Sequence, residues 1–69
     1  MKPETENKLF EAWAYCDHED KSTEFMLTYM SDIVPSLDES DVVEWISKNS
    51  KKRNNWYKNN PNWFLKYEQ

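Results

Sequence analysis

The chain of 69 residues contains no glycine. Glycine adopts positive φ angles more easily than any other residue, and tight β-hairpin turns and many helix C-termini need such angles. Its absence argues against β-hairpins and against glycine-rich phosphate-binding loops. Helices that end at Asn, Ser or Asp remain compatible with the sequence. Helices are therefore the expected elements of this chain.

Three segments carry apolar residues at the i, i+3, i+4, i+7 spacing of one helix face. These residues are Leu9, Ala12, Trp13 and Cys16 in the first segment, Met26, Tyr29, Met30 and Ile33 in the second, and Val42, Trp45 and Ile46 in the third. Asn49 takes the next position in the third segment and is polar, so the apolar stripe ends there. The pattern predicts helices at about residues 4–16, 22–34 and 38–49.

Residues typical of helix termini stand at the expected helix ends. Pro3 is tolerated at the first helical position, and Ser22 and Asp38 are expected N-caps. Asp41 stands three residues after Asp38 and completes an arrangement like a capping box. Pro35 should end the second helix, because the residue before a proline is driven out of the α region.

The pattern leaves the conformation of residues 50–60 open. Further on, Asn60 as N-cap and Pro61 at the first helical position predict a short fourth helix. That helix would bring three aromatic residues together: Trp63, Phe64 and Tyr67. The sequence as a whole therefore predicts a single all-α domain, a small three-helix bundle-like fold with a short fourth C-terminal helical turn.

The segment CDHED, residues 16–20, is the place where Cys, His and carboxylates crowd together. Cys16 is expected in the core, where burial raises the pKa of a thiol, and His18 in a solvated loop. No second Cys or His is present to complete four zinc ligands, and the carboxylates lack the alternation of a calcium-binding loop. We expect no catalytic residue, no metal site and no cofactor, and no small-molecule substrate is evident.

The lone cysteine excludes an intrachain disulfide. Neither a signal peptide nor an apolar run long enough to cross a bilayer is recognisable. We therefore expect a cytoplasmic protein that does not contact a membrane.

Charge is distributed unevenly along the chain. Residues 1–50 hold four cations and twelve carboxylates, a net charge of −8, whereas residues 51–69 hold five cations and one carboxylate, a net charge of +4. Such an asymmetry favours either a basic segment that folds back on an acidic body or one that meets an anionic partner. The candidate partner-binding residues are Lys51, Lys52, Arg53, Trp56, Tyr57, Lys58, Trp63, Phe64 and Lys66.

The basic aromatic segment has three interpretations. Its aromatic residues can close the core while the lysines stay solvated. Alternatively they can meet a protein partner or a second copy of the chain, since Trp, Tyr and Arg are enriched at interface hot spots. Cations with stacking aromatic rings also suit single-stranded nucleic acid, although an acidic body repels phosphates. We expect a non-enzymatic protein-interaction module, with single-stranded nucleic-acid binding as the alternative.

Residues 24–46, EFMLTYMSDIVPSLDESDVVEWI, form an aromatic and methionine-rich helix, a short loop and an acid-capped helix. This layout resembles small uncharacterised proteins of tailed phages that infect marine cyanobacteria. The resemblance covers about a third of the chain and includes no functional motif. It implies an accessory phage protein that acts in the host cytoplasm through a protein of the host or the phage.

Overall fold

The structure, a computed structural model, describes residues 1–67, except for the side chain of Lys66. Its α-helices are α1 (Pro3–His18), α2 (Thr23–Ile33), α3 (Glu39–Asn49) and the short α4 (Arg53–Asn59). Two 3₁₀ turns, Ser50–Lys52 and Trp63–Tyr67, stand on either side of α4. Residues 1–67 contain no strand, so the predicted all-α fold is confirmed.

Side-chain caps define the beginnings of α2 and α3. The hydroxyl of Ser22 accepts a hydrogen bond from the backbone N–H of Phe25 at 3.1 Å. Asp38 accepts one from the N–H of Asp41 at 2.9 Å, and the carboxylate of Asp41 accepts one from the N–H of Asp38 at 3.2 Å. Both predicted caps are confirmed, and the second is a complete capping box in which Asp takes the usual place of Glu.

The C-terminus of α1 is closed without glycine. The N–H of Lys21 donates to the carbonyl of Cys16 at 2.8 Å, and the N–H of Asp20 donates to the carbonyl of Asp17 at 3.2 Å. This pair of bonds is a Schellman motif, which requires a left-handed residue, and Asp20 supplies it with a φ of 55°. Because of this closure, α1 runs to His18, two residues past its predicted end, and His18 belongs to the helix rather than to a loop.

Helix α1 provides most of the core. Its buried residues Leu9, Phe10, Ala12, Trp13, Ala14 and Cys16 meet Met30 and Val34 of the α2 segment, Val42 and Trp45 of α3, and Trp56 of α4. The ring of Phe10 lies edge-on to Trp45 at 4.8 Å and stacks on Trp56 at 6.0 Å. The Phe10 side chain of α1 therefore contacts both α3 and α4.

Asn49 ends the α3 stripe but is buried, with 7% of its surface exposed. Its side-chain amide donates to the carbonyl of Trp45 at 2.8 Å, which satisfies a polar group that would otherwise be costly to bury. The chain then continues through the Ser50–Lys52 turn into α4, so residues 50–59, left open by the sequence, are helical.

The predicted start of a fourth helix at Asn60 is wrong. The side-chain amide of Asn60 instead donates to the carbonyl of Trp56 at 2.9 Å and closes the end of α4. Pro61 and Asn62 form a turn, and the short C-terminal helical element begins at Trp63 as a 3₁₀ turn. Trp56, one turn earlier, is buried in the core, and Asn60 is the C-cap of the helix that carries it.

Candidate functional site

The structure separates the candidate binding residues by exposure. Trp56 is buried, whereas Arg53, Tyr57, Trp63 and Phe64 are half-buried and Lys51, Lys52 and Lys58 are exposed. The side chain of Lys66 lies outside the part of the chain that the structure describes. The candidates therefore comprise a core tryptophan, a half-buried group and a set of exposed cations.

Trp56 is held by packing and by a hydrogen bond. Its side chain is 8% exposed, and the indole Nε1–H donates to Oδ1 of Asn7 at 2.9 Å. Its ring also lies near Tyr57 and Trp63, at 5.6 and 6.3 Å between centroids. This tryptophan attaches α4 to the start of α1 and is a core residue of the folded chain.

Arg53 is half-buried, unlike Lys51 and Lys52, its neighbours among the candidate binding residues. Its guanidinium lies 4.6 Å from the centre of the Trp13 ring, donates to the carboxylate of Asp17 and donates to the hydroxyl of Tyr57 at 3.0 Å. A guanidinium over an indole face is a favourable cation–π contact. Arg53 thus attaches the beginning of α4 to the end of α1, while its contact with a partner stays a prediction.

The half-buried Trp63 is the centre of the C-terminal 3₁₀ turn. Its ring lies 5.7 Å from His18, 6.1 Å from Tyr57 and 6.1 Å from Phe64. Tyr67 of the same turn packs on Tyr15 of α1 at 4.7 Å. The turn is therefore attached to the last two turns of α1.

Leu65 is the residue that the sequence-based reasoning missed. Its side chain is 55% exposed, although the preceding Phe64 is half-buried and Tyr67, two residues later, packs on α1. A 3₁₀ helix has three residues per turn, so Phe64 and Tyr67 share one side and Leu65 points elsewhere. At the α-helical spacing Leu65 also lies opposite the face of Trp63, Phe64 and Tyr67, so the same pattern could have identified it as exposed. We call Lys51, Lys52, Lys58, Trp63, Phe64 and Leu65 the C-terminal surface.

Three tyrosines from α1, α2 and the 3₁₀ turn meet beside this surface. Tyr15 lies 5.5 Å from Tyr29 and 4.7 Å from Tyr67, measured between ring centres. Burial, followed by the negative charge of Glu11, raises the pKa of Tyr67 to about 12, and burial also raises the pKa of Tyr29. Tyr29 and Tyr67 are therefore uncharged at neutral pH, and the cluster holds the 3₁₀ turn through apolar and hydroxyl contacts.

A second feature is a groove beside α3, which we call the Met1 groove. It has a volume of about 300 Å³ and is lined by Met1, Leu37, Asp41, Glu44, Trp45 and Lys48. Lys48 pairs with Glu44 at 2.8 Å on the exposed rim, and its hydrogen bond lowers the pKa of Glu44. The groove thus has an apolar floor and a charged edge on which the carboxylate of Glu44 stays ionised.

The Cys16 side chain is buried, as predicted, with 1% of its surface exposed. Burial raises the pKa of its thiol, so the group is protonated at neutral pH and is a small core residue. Within residues 1–67, no group of three or more His, Cys, Asp and Glu side chains is placed to hold a metal ion. No helix among these residues is long and apolar enough to cross a membrane.

The fold and these surfaces define a small all-α protein with a basic, half-apolar C-terminal surface on a largely acidic body. Comparison of the chain with models of protein families, with curated proteins and with solved structures gives no match.

Proposed function

We propose that this chain is a non-enzymatic protein-interaction module and that the C-terminal surface is its contact region. The observation that carries the proposal is the exposure of Leu65, 55%, on a turn whose neighbouring aromatic rings are attached to α1. An exposed apolar side chain on an ordered support can enter a partner's pocket at little conformational cost. The exposed Lys51, Lys52 and Lys58 add positive charge to the same segment of the chain.

The partner proposed here is a protein surface with carboxylates around an apolar pocket. Lys51, Lys52 and Lys58 are exposed, whereas Arg53 is engaged with Asp17. Opposite charges at the rim of an interface increase the association rate and select the partner more than they add affinity. Leu65 and Phe64 would supply apolar area at the centre of the contact.

A selection from random linear peptides tests this proposal. The wild-type chain is the target, and a Lys58→Glu/Leu65→Glu double variant is used for counter-selection. We expect enriched peptides in which Asp or Glu flanks a large apolar residue. A synthetic peptide of that sequence, titrated into the labelled chain, should shift the amide resonances of residues 58–67.

Substitution of Leu65 and of the lysines then separates the apolar contribution from the charge contribution. Leu65→Ser should weaken peptide binding at least tenfold, because it removes the central apolar contact. Lys51→Gln/Lys52→Gln should slow association severalfold with a smaller effect on dissociation. Val43→Ser is the matched control, since Val43 is an exposed apolar residue of α3 and lies outside the C-terminal surface. Equal enrichment on the double variant, or resonance shifts confined to α2 and α3, would contradict the proposal.

The alternative function is binding of single-stranded nucleic acid, and the observation that favours it is the half-buried ring of Trp63 in a segment that also carries the exposed Lys58. Trp56 and Arg53 are less suited to that role, because one is buried and the other is engaged with Asp17 and Tyr57. An oligothymidine that binds the surface should quench tryptophan fluorescence at low salt, and Trp63→Phe should remove most of the quenching. Absence of quenching at low ionic strength would exclude this alternative.

The setting we propose for this interaction is the host cytoplasm, with the chain as a phage accessory protein. The support is the resemblance of residues 24–46 to small proteins of tailed phages that infect marine cyanobacteria. Expression from a phage genome during infection, followed by detection of the chain in the cytoplasmic fraction of infected cells, tests that setting. Detection in the membrane fraction alone would contradict it.

A further inference from the structure

We propose that the helices beneath the C-terminal 3₁₀ turn form a binding site for a short aromatic peptide, and that the turn itself occupies this site as an exchangeable ligand. The site, which we call the aromatic face, consists of side chains from α1, α2 and α4: Tyr15, His18, Tyr29 and Tyr57. The inference does not depend on the proposed function. It concerns the rings of the turn that contact the helices, whereas the proposed function concerns the exposed Leu65.

The first support is that the turn contacts the aromatic face through two of its rings. The Trp63 ring lies 5.7 Å from His18 and 6.1 Å from Tyr57, measured between ring centres. The Tyr67 ring lies 4.7 Å from Tyr15. The occupant of the face and its contacts are therefore visible in the folded chain.

The spacing of the two rings defines the class of ligand. Trp63 and Tyr67 are four residues apart, and their ring centres are separated by 6.2 Å. Tyr67 also makes a side-chain hydrogen bond with Tyr29 of α2. A partner segment that carries Trp and Tyr at the same spacing would make the same contacts and would displace the turn.

The second support is that side chains, rather than backbone groups, attach the turn to the helices. The side-chain amide of Asn60 closes α4 before the turn begins. The backbone N–H groups of Trp63 and Leu65 donate to the carbonyls of Asn60 and Asn62, at 3.2 and 3.1 Å, so these bonds lie within the segment. Across residues 1–67, no backbone hydrogen bond links the turn to α1 or α2. The turn can therefore leave the face while the helices stay intact.

The third support is the limited burial of the turn. Trp63, Phe64 and Tyr67 are half-buried and Leu65 is exposed, whereas core residues such as Leu9 are fully buried. Segments with few buried apolar contacts open at a lower free energy than the whole chain unfolds. With an effective concentration of about 10 mM on a short linker, a peptide-like affinity of the turn leaves it open in roughly 1–10% of molecules.

Amide hydrogen exchange of the wild-type chain measures this opening. The N–H groups of Trp63 and Leu65 should show protection factors of roughly 10–100, because an isolated turn is not stable in water. The N–H groups of core residues of α1, such as Trp13, should be protected at least tenfold more. Equal protection would show that the turn opens only when the whole chain unfolds, and no protection would show that it does not occupy the face. Either result would overturn the proposal.

A peptide supplied in trans tests the site itself. The probe is an acetylated peptide of residues 61–69, and the acceptor is the full chain with Trp63→Ala/Tyr67→Ala, whose own turn no longer fits the face. We expect a Kd of roughly 0.1–1 mM, with shifts of amide resonances across the aromatic face. A peptide with the same two alanine substitutions should not bind.

The exchange and binding measurements must agree with each other. In the wild type the face is accessible only in open molecules, so its apparent Kd is the Kd of the double variant divided by the open fraction. The wild type should therefore bind the peptide at least tenfold more weakly. Leu65→Ala is the matched control, because Leu65 is exposed on the same turn, and this variant should bind as weakly as the wild type. Equal affinities of the wild type and the double variant would overturn the proposal.

Further substitutions keep the test sound if the double variant is unfolded by circular dichroism. Tyr67→Ala alone then serves as the acceptor, since Trp63 still packs on α4. Adding His18→Ala to the acceptor should weaken peptide binding severalfold, because it removes a contact of the tryptophan ring. Val43→Ala, at an exposed position of α3, should leave binding unchanged. A folded acceptor that does not bind the peptide, or resonance shifts confined to α3, would overturn the assignment of the site.

Discussion

The guanidinium of Arg53, at the first position of α4, donates a hydrogen bond to the carboxylate of Asp17 in the last turn of α1. Its partner is largely solvated, with 64% of the Asp17 side chain exposed, so the charge pair alone contributes little. The guanidinium also covers the Trp13 ring and bonds to Tyr57, and its own side chain is only 23% exposed. The contacts of Arg53 act together to hold α4 on the body.

Substitution of Arg53 should therefore differ from substitution of its neighbours. We expect Arg53→Gln to lower the free energy of unfolding by about 1–2 kcal/mol, because it removes a cation–π contact and two hydrogen bonds. Lys51→Gln/Lys52→Gln should change it by less than about 0.5 kcal/mol, since both side chains are exposed. Urea unfolding followed by circular dichroism measures both. Equal effects of the two changes would show that Arg53 is an ordinary surface cation.

The tryptophans of the C-terminal segment should contribute unequally to stability. Trp56→Ala should cost about 3–5 kcal/mol, which is a large part of the total stability of a domain of this size, whereas Trp63→Ala should cost about 1–2 kcal/mol because Trp63 is only half-buried. Thermal unfolding of each single variant provides the comparison.

A milder variant keeps this comparison measurable if Trp56→Ala does not fold. Asn7→Ala removes the acceptor of the Trp56 indole N–H and should lower stability by about 1 kcal/mol. Asn54→Ala, at an exposed position of α4, is the control and should change stability little. A Trp63→Ala variant less stable than Trp56→Ala would contradict the assignment of Trp56 to the core.

Asp20 occupies a left-handed position that favours glycine. We expect Asp20→Gly to raise the free energy of unfolding by about 1 kcal/mol, which corresponds to an increase of roughly 4–8 °C in Tm. Asp20→Ala is the matched control because it also removes the carboxylate but retains a Cβ atom, and it should not stabilise the chain. If both substitutions raise Tm equally, relief of acidic repulsion rather than backbone strain is the cause.

The tyrosine cluster predicts a loss of stability at alkaline pH. The pKa of Tyr67 rises from 10.0 to about 12 on folding, so above pH 10 the unfolded chain releases this proton more readily than the folded chain. The unfolded state then binds fewer protons, and stability decreases as the pH rises through this interval and levels off above about 12. Tyr29, whose pKa is also raised, acts in the same direction.

Titration of the tyrosinate absorbance locates this transition, and urea unfolding at several pH values measures its effect on stability. Tyr67→Phe should be less stable than the wild type at neutral pH, because it loses the side-chain hydrogen bond with Tyr29, but it should lose less stability between pH 10 and 12. Comparison with the variant cancels the contribution of the lysines, which titrate in the same interval. Parallel stability curves for the two proteins would contradict the raised pKa of Tyr67.

Local signals in the sequence were sufficient for much of the fold. The stripe of α1 from Leu9 to Cys16, the N-cap at Ser22 and the reciprocal cap of Asp38 and Asp41 all involve residues within two helical turns of each other, and all are observed. Such interactions depend on helical spacing and backbone hydrogen bonding, which act over a few residues. The all-α class follows from these signals.

Long-range contacts decided the rest. Asn60 has the sequence context of an N-cap, but α4 forms before it because Trp56 reaches Asn7 and Arg53 reaches Asp17 across the fold. Tyr67 packs on Tyr15 of α1, while Leu65 of the same turn stays 55% exposed. The amino-acid sequence by itself determined that α1, α2 and α3 are helices and, to within a residue or two, where they begin. The tertiary structure alone decided which cations and aromatic rings stay available to a partner, because burial depends on residues distant in the chain.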